Sequence, residues 1–241
     1  MKLINLKDNK AFKKEFPNVP IPPDYTLYEA HYLNYRGYYN DGLTNAKILK
    51  TQFEAHTDFK EKKVLDWGCG PARIIRHFSE LCPDADFYGT DYNKSTIAWN
   101  RANIKNVTFE SNEVNPPTVF EDNFFNAVYS LSVLTHLSKA NHYSWIEELW
   151  RITKHNAILI ISTHGEAFKE KLIPSDKATF ENNDLVVQAN TLEGHRTYAA
   201  YHPPKFMLDL FLNKFEVLEH LPGKVETWGI SQDKWILKCI K

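Results

Sequence analysis

The stretch Val64-Leu65-Asp66-Trp67-Gly68-Cys69-Gly70-Pro71-Ala72-Arg73 decides how this chain is read. An apolar strand runs into an acid, then two glycines spaced by one, then a helix. Gly68 and Gly70 lack a Cβ, so the backbone there can turn tightly and approach a ligand closely. Pro71 suits the first position of the following helix. That helix carries Ile74, Ile75, Phe78 and Leu81 on one face, the spacing of a helix laid on a sheet. Next, Asp86-Phe87-Tyr88-Gly89-Thr90-Asp91 reads as a second strand ending in a carboxylate. A glycine turn after one strand, and an acid about 20 residues on at the tip of the next, is how doubly wound α/β folds hold a nucleoside; the acid accepts from ribose hydroxyls.

Composition narrows the class. The chain has 241 residues, enough for one large α/β domain with a sizeable core. Its net charge of −1 offers no basic field for nucleic acid, so none is expected as a partner. The three cysteines, Cys69, Cys82 and Cys239, are scattered without Cys-x-x-Cys spacing, which points to a reducing compartment. The Lys-rich start, residues 1–16, lacks the apolar centre of a signal peptide. No apolar run approaches the roughly 20 residues of a membrane span. A cytoplasmic protein is expected, and the oligomeric state stays open.

Outward from the glycine turn, strands and helices alternate. Strands are expected at 63–67, 86–90, 107–111, 127–132 and 157–163, with helices at 94–102 and 139–154; Ser138 is a plausible cap of the latter. Alternation of this kind predicts a parallel sheet. Residues 165–202 exceed an ordinary connection and read as an insertion, with 184–189 and 195–201 pairing as a hairpin about Glu193-Gly194. A helix at 204–212 and two closing strands at 215–220 and 234–240 follow. Upstream, 1–58 reads as an arm. Its first part, 1–23, ends in Pro17, Pro20, Pro22 and Pro23, which keep that end extended. Tyr25, Tyr28, Tyr32, Tyr35 and Tyr39, spaced three and four, form one helical stripe, and a second helix spans 43–56. The stripe is either a lid over a ligand or a packing face. The chain as a whole, 1–241, is read as a single domain with a core at 60–163, the insertion at 165–202 and a closing part at 203–241.

These motifs resemble the class I S-adenosylmethionine-dependent methyltransferases. Ala72 stands where the family's third glycine often sits, and is small enough to serve. A dinucleotide site fits less well, because its pattern asks for glycine where Arg73 stands. The resemblance implies a doubly wound, seven-stranded, mostly parallel Rossmann-like sheet with an antiparallel C-terminal strand, an N-terminal helical arm and the inserted hairpin. It implies S-adenosylmethionine as cofactor, held by Asp66, Gly68, Cys69 and Gly70 in the turn, by Asp91 on the ribose and by Tyr92 on the adenine face. Asn112 falls where members carry an aspartate that accepts from the adenine amino group; an amide carbonyl can still accept. Glu113 can share that role. Ser130 and Arg36 are assigned to the cofactor as well. Asn156 replaces a turn glycine and tolerates the left-handed conformation.

A narrower likeness joins Ser132-Val133-Leu134-Thr135-His136-Leu137-Ser138, Ser162-Thr163-His164-Gly165 and Gln232-Asp233 to a bacterial subgroup linked to surface-carbohydrate biosynthesis. The implied acceptor is a hydroxyl of a small molecule or carbohydrate. A hydroxyl favours a general base, and His164, His136 and His202 lie near predicted strand ends on the ligand side. Each histidine can equally well satisfy a loop carbonyl. Two other functions compete: an N-methyltransferase acting on an amino group of a sugar, metabolite or peptide, which needs no such base, and a cofactor-binding protein without catalysis. His164, Glu166 and His202 lack tight ligand spacing, so no metal is expected.

Overall fold

The computed structural model describes residues 5–241; residues 1–4 of the expected arm lie outside the described residues. The chain divides into two compact units, one ending at Ser111 and the other spanning Asn112–Lys241.

The first unit holds α1 (Leu6–Glu15), α2 (Asp24–Ala30), α3 (Tyr35–Glu54), β1 (Lys63–Trp67), α4 (Ile75–Leu81), β2 (Asp86–Asp91), α5 (Lys94–Asn103) and β3 (Val107–Ser111). β2 pairs in parallel with β1 and with β3. Val64, Leu65, Ile75, Phe78 and Phe87 are buried, and the rings of Phe53, Phe59, Phe78 and Phe87 follow one another at 5.2–5.8 Å. The expected helix start moves. Pro71 sits in the turn, and α4 begins only at Ile75. The cause lies in the turn itself, where Gly68, Gly70 and Ala72 all have positive φ, at 78°, 48° and 57°. Ala72 thus occupies a left-handed position that disfavours a Cβ by about 1–2 kcal/mol.

The arm differs more. α1, which no expectation covered, precedes the proline stretch, and the tyrosine stripe is broken between α2 and α3. Asn34 ends the stripe's continuity: its side chain accepts from the Gly37 N–H at 2.8 Å and caps α3. Tyr38, fully buried, donates its hydroxyl to the Pro71 carbonyl at 2.5 Å. Arg76 reaches the Pro20 carbonyl at 2.9 Å and the Tyr38 hydroxyl at 3.3 Å. α3 therefore lies against the glycine turn.

The second unit holds β4 (Phe125–Leu131), a 3-10 turn (Leu134–His136), α6 (Lys139–Ile152), β5 (Thr153–Thr163), a second 3-10 turn (Glu166–Lys171), α7 (Pro174–Glu181), β6 (Val186–Gln188), β7 (Ala199–Tyr201), α8 (Pro204–Phe211), β8 (Phe215–Leu221), β9 (Val225–Glu226), β10 (Gly229–Ile230) and β11 (Asp233–Cys239). β4 and β5 are parallel, while β11 runs antiparallel to β5 and to β8. Strand order is β3-β2-β1-β4-β5-β11-β8, a seven-stranded, mostly parallel, Rossmann-like sheet with β11 as its antiparallel member. Ser138 caps α6, whose Trp145, Leu149 and Ile152 are buried. Asn156 has φ 62°, at an irregularity between β4 and β5.

The insertion is richer than a hairpin. β6 and β7 pair over three residues each, from Val186↔Tyr201 to Gln188↔Ala199, and a long loop replaces the tight turn at Glu193-Gly194. The reason is that Glu193 and Gly194 bond elsewhere. Glu193 Oε1 accepts from the Ser138 N–H at 2.6 Å, and the Gly194 N–H donates to the His136 carbonyl at 2.9 Å. The small hairpin β9–β10, within the loop before β11, was also unforeseen.

A Cβ placed on Gly42 of α3 would stand 2.1 Å from the Arg73 carbonyl oxygen, a backbone atom that cannot swing aside. Gly42→Ala is expected to destabilise the protein by about 1–3 kcal/mol, an overpacking cost. Thermal unfolding should show a midpoint several degrees lower; an unchanged midpoint would mean that α3 does not rest on the turn.

Candidate active site

In the first unit the glycine turn is stitched to the tip of β2. The N–H groups of Gly68 and Cys69 both donate to the Thr90 carbonyl at 2.8 Å. The Gly70 N–H donates to Asp91 Oδ2 at 3.0 Å, and the Asn93 N–H donates to Asp91 Oδ1 at 2.8 Å. Burial lifts the Asp91 carboxyl above its ordinary range, and these two N–H groups draw it back. Each oxygen accepts one N–H, which leaves acceptor capacity on both for a pair of vicinal hydroxyls. Asn100, fully buried, donates from Nδ2 to the Gly70 carbonyl at 2.8 Å and holds the turn from below. No pattern in the sequence marked Asn100.

Asp66 is buried on β1, opposite Gly89 of β2. A Cβ on Gly89 would meet the Phe109 ring at 2.8 Å and Cys69 Sγ at 3.1 Å, so the residue is glycine by necessity. Cys69 points its thiol inward, and burial pushes that thiol far up, which leaves it protonated and inert. Tyr92 is 42% exposed. Burial, then Asp91, Glu29 and Tyr25, raises its phenol, so α2 brings Tyr25 and Glu29 near it. Arg36 goes elsewhere than expected. Its Nε reaches Asp8 at 3.1 Å and a terminal nitrogen reaches Glu15 at 2.8 Å, with the Phe12 ring beneath. The carboxylates of α1, far off in sequence, take the guanidinium.

The second unit begins with Asn112. Its Nδ2 donates to the Glu113 carbonyl at 2.7 Å, while its buried Oδ1 has no hydrogen-bond partner. An orphaned acceptor is costly, and an amino group of a bound ligand would satisfy it. Within the first unit, the open acceptor sites on Asp91 fit the ribose hydroxyls of S-adenosylmethionine; within the second, Asn112 Oδ1 fits an amino group such as that of adenine. Glu113 itself is exposed. Ser130 is fully buried in β4, and its hydroxyl has no hydrogen-bond partner.

At the carboxyl ends of β4 and β5 the chain entering β7 anchors two histidines. His136 Nδ1 donates to the Tyr198 carbonyl at 2.8 Å, and His164 Nδ1 donates to the Ala200 carbonyl at 3.1 Å. Carbonyls two residues apart on a strand point to the same edge. A carbonyl only accepts, so each neutral ring carries its proton on Nδ1 and keeps a lone pair on Nε2. Burial lowers the His164 pKa to about 4, helped by His136 and Lys171. Burial likewise lowers His136, against the Tyr198 carbonyl. Both rings are neutral near pH 7.

His202 departs from expectation. It is 1% exposed, and its Nε2 faces His142 Nε2 at 2.8 Å. His142 Nδ1 in turn donates to the Ser138 carbonyl at 2.8 Å. One step along the chain past β7 turns this ring into the interior, away from the strand end. The three motifs of the narrower likeness meet in one network. The Ser132 N–H donates to Ser162 Oγ at 2.9 Å, Ser162 Oγ to Gln232 Oε1 at 2.6 Å, and Gln232 Nε2 to Ser132 Oγ at 2.8 Å. Ser132 has φ 70°, a left-handed position at the end of β4 that this network holds. Asp233, also buried, binds His220 Nε2 at 2.7 Å and the Gly223 N–H at 2.9 Å. A Cβ on Gly165 would collide with that carboxylate at 2.1 Å. Glu166 pairs with Lys169 at 2.7 Å. Among the described residues no three His, Cys, Asp or Glu side chains are grouped to hold a metal ion, and no helix is long and apolar enough to cross a membrane.

Residues 64–156 match the family described as Methyltransferase domain. Among curated proteins none matches this chain. Solved structures share the fold at low identity. A methyltransferase from Methanosarcina mazei, described as S-adenosylmethionine-dependent, is 16% identical, with a TM-score of 0.62 over 78% of this chain and 97% of its own. The magnesium protoporphyrin IX methyltransferase of Synechocystis, solved with bound SAH, is 13% identical, with a TM-score of 0.60 over 95% and 94%. The geranyl diphosphate C-methyltransferase of Streptomyces coelicolor, solved with S-adenosyl-L-homocysteine, is 10% identical, with a TM-score of 0.57 over 80% and 76%. Residues 64–156 are thus similar to a methyltransferase domain, and the sheet has the Rossmann-like methyltransferase fold. The chain is an enzyme of the S-adenosylmethionine-dependent methyltransferase kind, with S-adenosylmethionine as its cofactor.

His77, His142 and His164 each have a pKa lowered to about 4 by burial, from an ordinary 6.5. Between those values the unfolded chain binds more protons than the folded one, so stability rises with pH across that window and is lost as pH falls through it. Thermal midpoints should therefore drop from about pH 6.5 toward pH 4. Titration of the His164 ring by NMR should show it neutral until the pH approaches about 4; an ordinary midpoint near 6.5 would contradict its burial.

Proposed function

We propose that this enzyme methylates a hydroxyl of a small molecule or carbohydrate, with His164 or His136 as general base. The observation that carries the reading is the pair of histidines tied by Nδ1 to the carbonyls of Tyr198, just before β7, and Ala200, within it, each with Nε2 left as an acceptor. Bound S-adenosylmethionine supplies an electrophilic methyl group whose carbon–sulfur bond breaks as the new bond forms. The turn residues Asp66, Gly68, Cys69 and Gly70, with Asp91, Tyr92 and Asn112, hold and orient it; Cys69 takes part through its backbone. At the other end of the reaction, Nε2 of the base accepts the hydroxyl proton as the oxygen–carbon bond forms. A protonated hydroxyl is a poor nucleophile, so loss of this acceptor matters most for it. His202 serves by position: its backbone N–H donates to the His164 carbonyl at 2.8 Å.

The same proposal takes 1–241 as one methyltransferase domain acting in the cytoplasm. Three free, buried cysteines support a reducing compartment. The network of Ser132, Ser162 and Gln232 supports the likeness to the surface-carbohydrate subgroup, because it is formed by the residues of that likeness. The fold itself names no acceptor, since its relatives include a porphyrin methyltransferase and a C-methyltransferase by description.

Replacing the base, as His164→Ala or His136→Ala, should lower the rate of hydroxyl methylation across a carbohydrate panel by about 10²–10⁴-fold. Affinity for S-adenosylhomocysteine should stay the same in both variants. Full activity in both would remove the histidine base and turn the reading to amine acceptors; cofactor binding without any methylated product would leave a binding protein.

A further inference from the structure

The insertion that supplies β7 also supplies charge, and its ionic groups are almost all spoken for. Glu166 and Glu181 flank Lys169 at 2.7 and 3.8 Å, and Glu170 pairs with Lys177 at 2.8 Å. Asp184 takes Lys139 of α6 at 2.5 Å, and Asp176 accepts from Gln188 at 2.8 Å. Glu193 accepts from the Ser138 N–H at the start of α6. Among the described residues Lys171 has no carboxylate partner. Its ammonium instead stands 5.5 Å from the centre of the Phe168 ring. That ring lies 4.3 Å from the His164 ring, and the Tyr201 ring, 6.4 Å from Phe168, lies 5.3 Å from His164. A cation without a counter-ion thus stands one aromatic ring away from the candidate base. The other charges that act on the two histidines are also cationic, His195 and Arg196 on His136.

We propose that Lys171 anchors an anionic group, a carboxylate or a phosphate, on the methyl acceptor, and so seats its hydroxyl beside His164; this rests on the acceptor reading above. Lys171 is exposed, so an incoming anion reaches the ammonium and can make a charge-assisted contact with it. The arrangement also couples binding to basicity. An empty Lys171 disfavours a second positive charge on His164, and an anion seated on it cancels that field, so the ring accepts a proton more readily with the acceptor in place. The acceptor class narrows accordingly to acidic or phosphorylated sugars and similarly charged small molecules.

The test uses the full chain saturated with S-adenosylhomocysteine and follows the Phe168 and Tyr201 ring signals by NMR. The probes are D-glucuronate, D-glucose 6-phosphate, inorganic phosphate and, as the neutral match, D-glucose. At least one anion should shift the signals saturably at a concentration about tenfold below that needed for glucose, the effect of one charge-assisted contact. A response to glucuronate alone assigns a carboxylate; a response to both phosphates alone assigns a phosphate. Lys171→Gln should erase the preference, and Lys171→Arg should keep it. Equal response to charged and neutral sugars, no saturable response to any anion, or a preference that survives Lys171→Gln would overturn the proposal. His164→Ala separates the two readings: it should leave anion binding in place, whether or not His164 proves to be the base.

Discussion

The hydrogen bond from the Gly70 N–H to Asp91 Oδ2, at 3.0 Å, is the contact on which the cofactor seat depends. It fixes where the carboxylate points and where the backbone turns at the same time. Everything around it reinforces that geometry. Thr90 gathers two further N–H groups of the turn, Asn100 holds the Gly70 carbonyl, and Tyr38 holds the Pro71 carbonyl. The left-handed positions at Gly68, Gly70 and Ala72 are tolerable only because these bonds over-determine them. Gly89 belongs to the same arrangement, since any side chain there would push Phe109 and the turn apart.

In the second unit β7 plays a comparable part. This short strand pairs with β6, and two histidines bond to carbonyls at its start, that of Tyr198 just before it and that of Ala200 within it. That fixes both tautomers and both ring orientations without a carboxylate, so the rings stay neutral when buried. The insertion therefore does more than cover a strand end. It defines the protonation state of the groups beneath it, and it is in turn pinned through Glu193 and Gly194 to the residues around His136 and Ser138.

The parts legible in the sequence were those governed by local rules. The glycine turn, the cap at Ser138 and the left-handed Asn156 each follow from residues within a few positions of one another, while the antiparallel close came from the family resemblance. The parts that escaped depend on distant partners. Arg36 is claimed by Asp8 and Glu15, across more than twenty residues. The tyrosine stripe satisfied a helical period, but the Asn34 cap restarted the helix inside it. β6 and β7 are three residues long, too short for an alternating pattern, and His202 turns inward because His142 waits there. Asn100 has no motif at all; its role exists only once α5 is packed beneath the turn.

The central claim is that Asp91, oriented by the glycine turn, holds the ribose of the cofactor. Calorimetric titration of S-adenosylhomocysteine into the wild-type protein and into Asp91→Ala tests it most directly, with circular dichroism as the check that the variant folds. Two charge-assisted hydrogen bonds to hydroxyls are at stake, so the account predicts clear binding by the wild type and a loss of about 10²–10⁴-fold in the variant. A folded Asp91→Ala protein that binds as tightly as the wild type would contradict it.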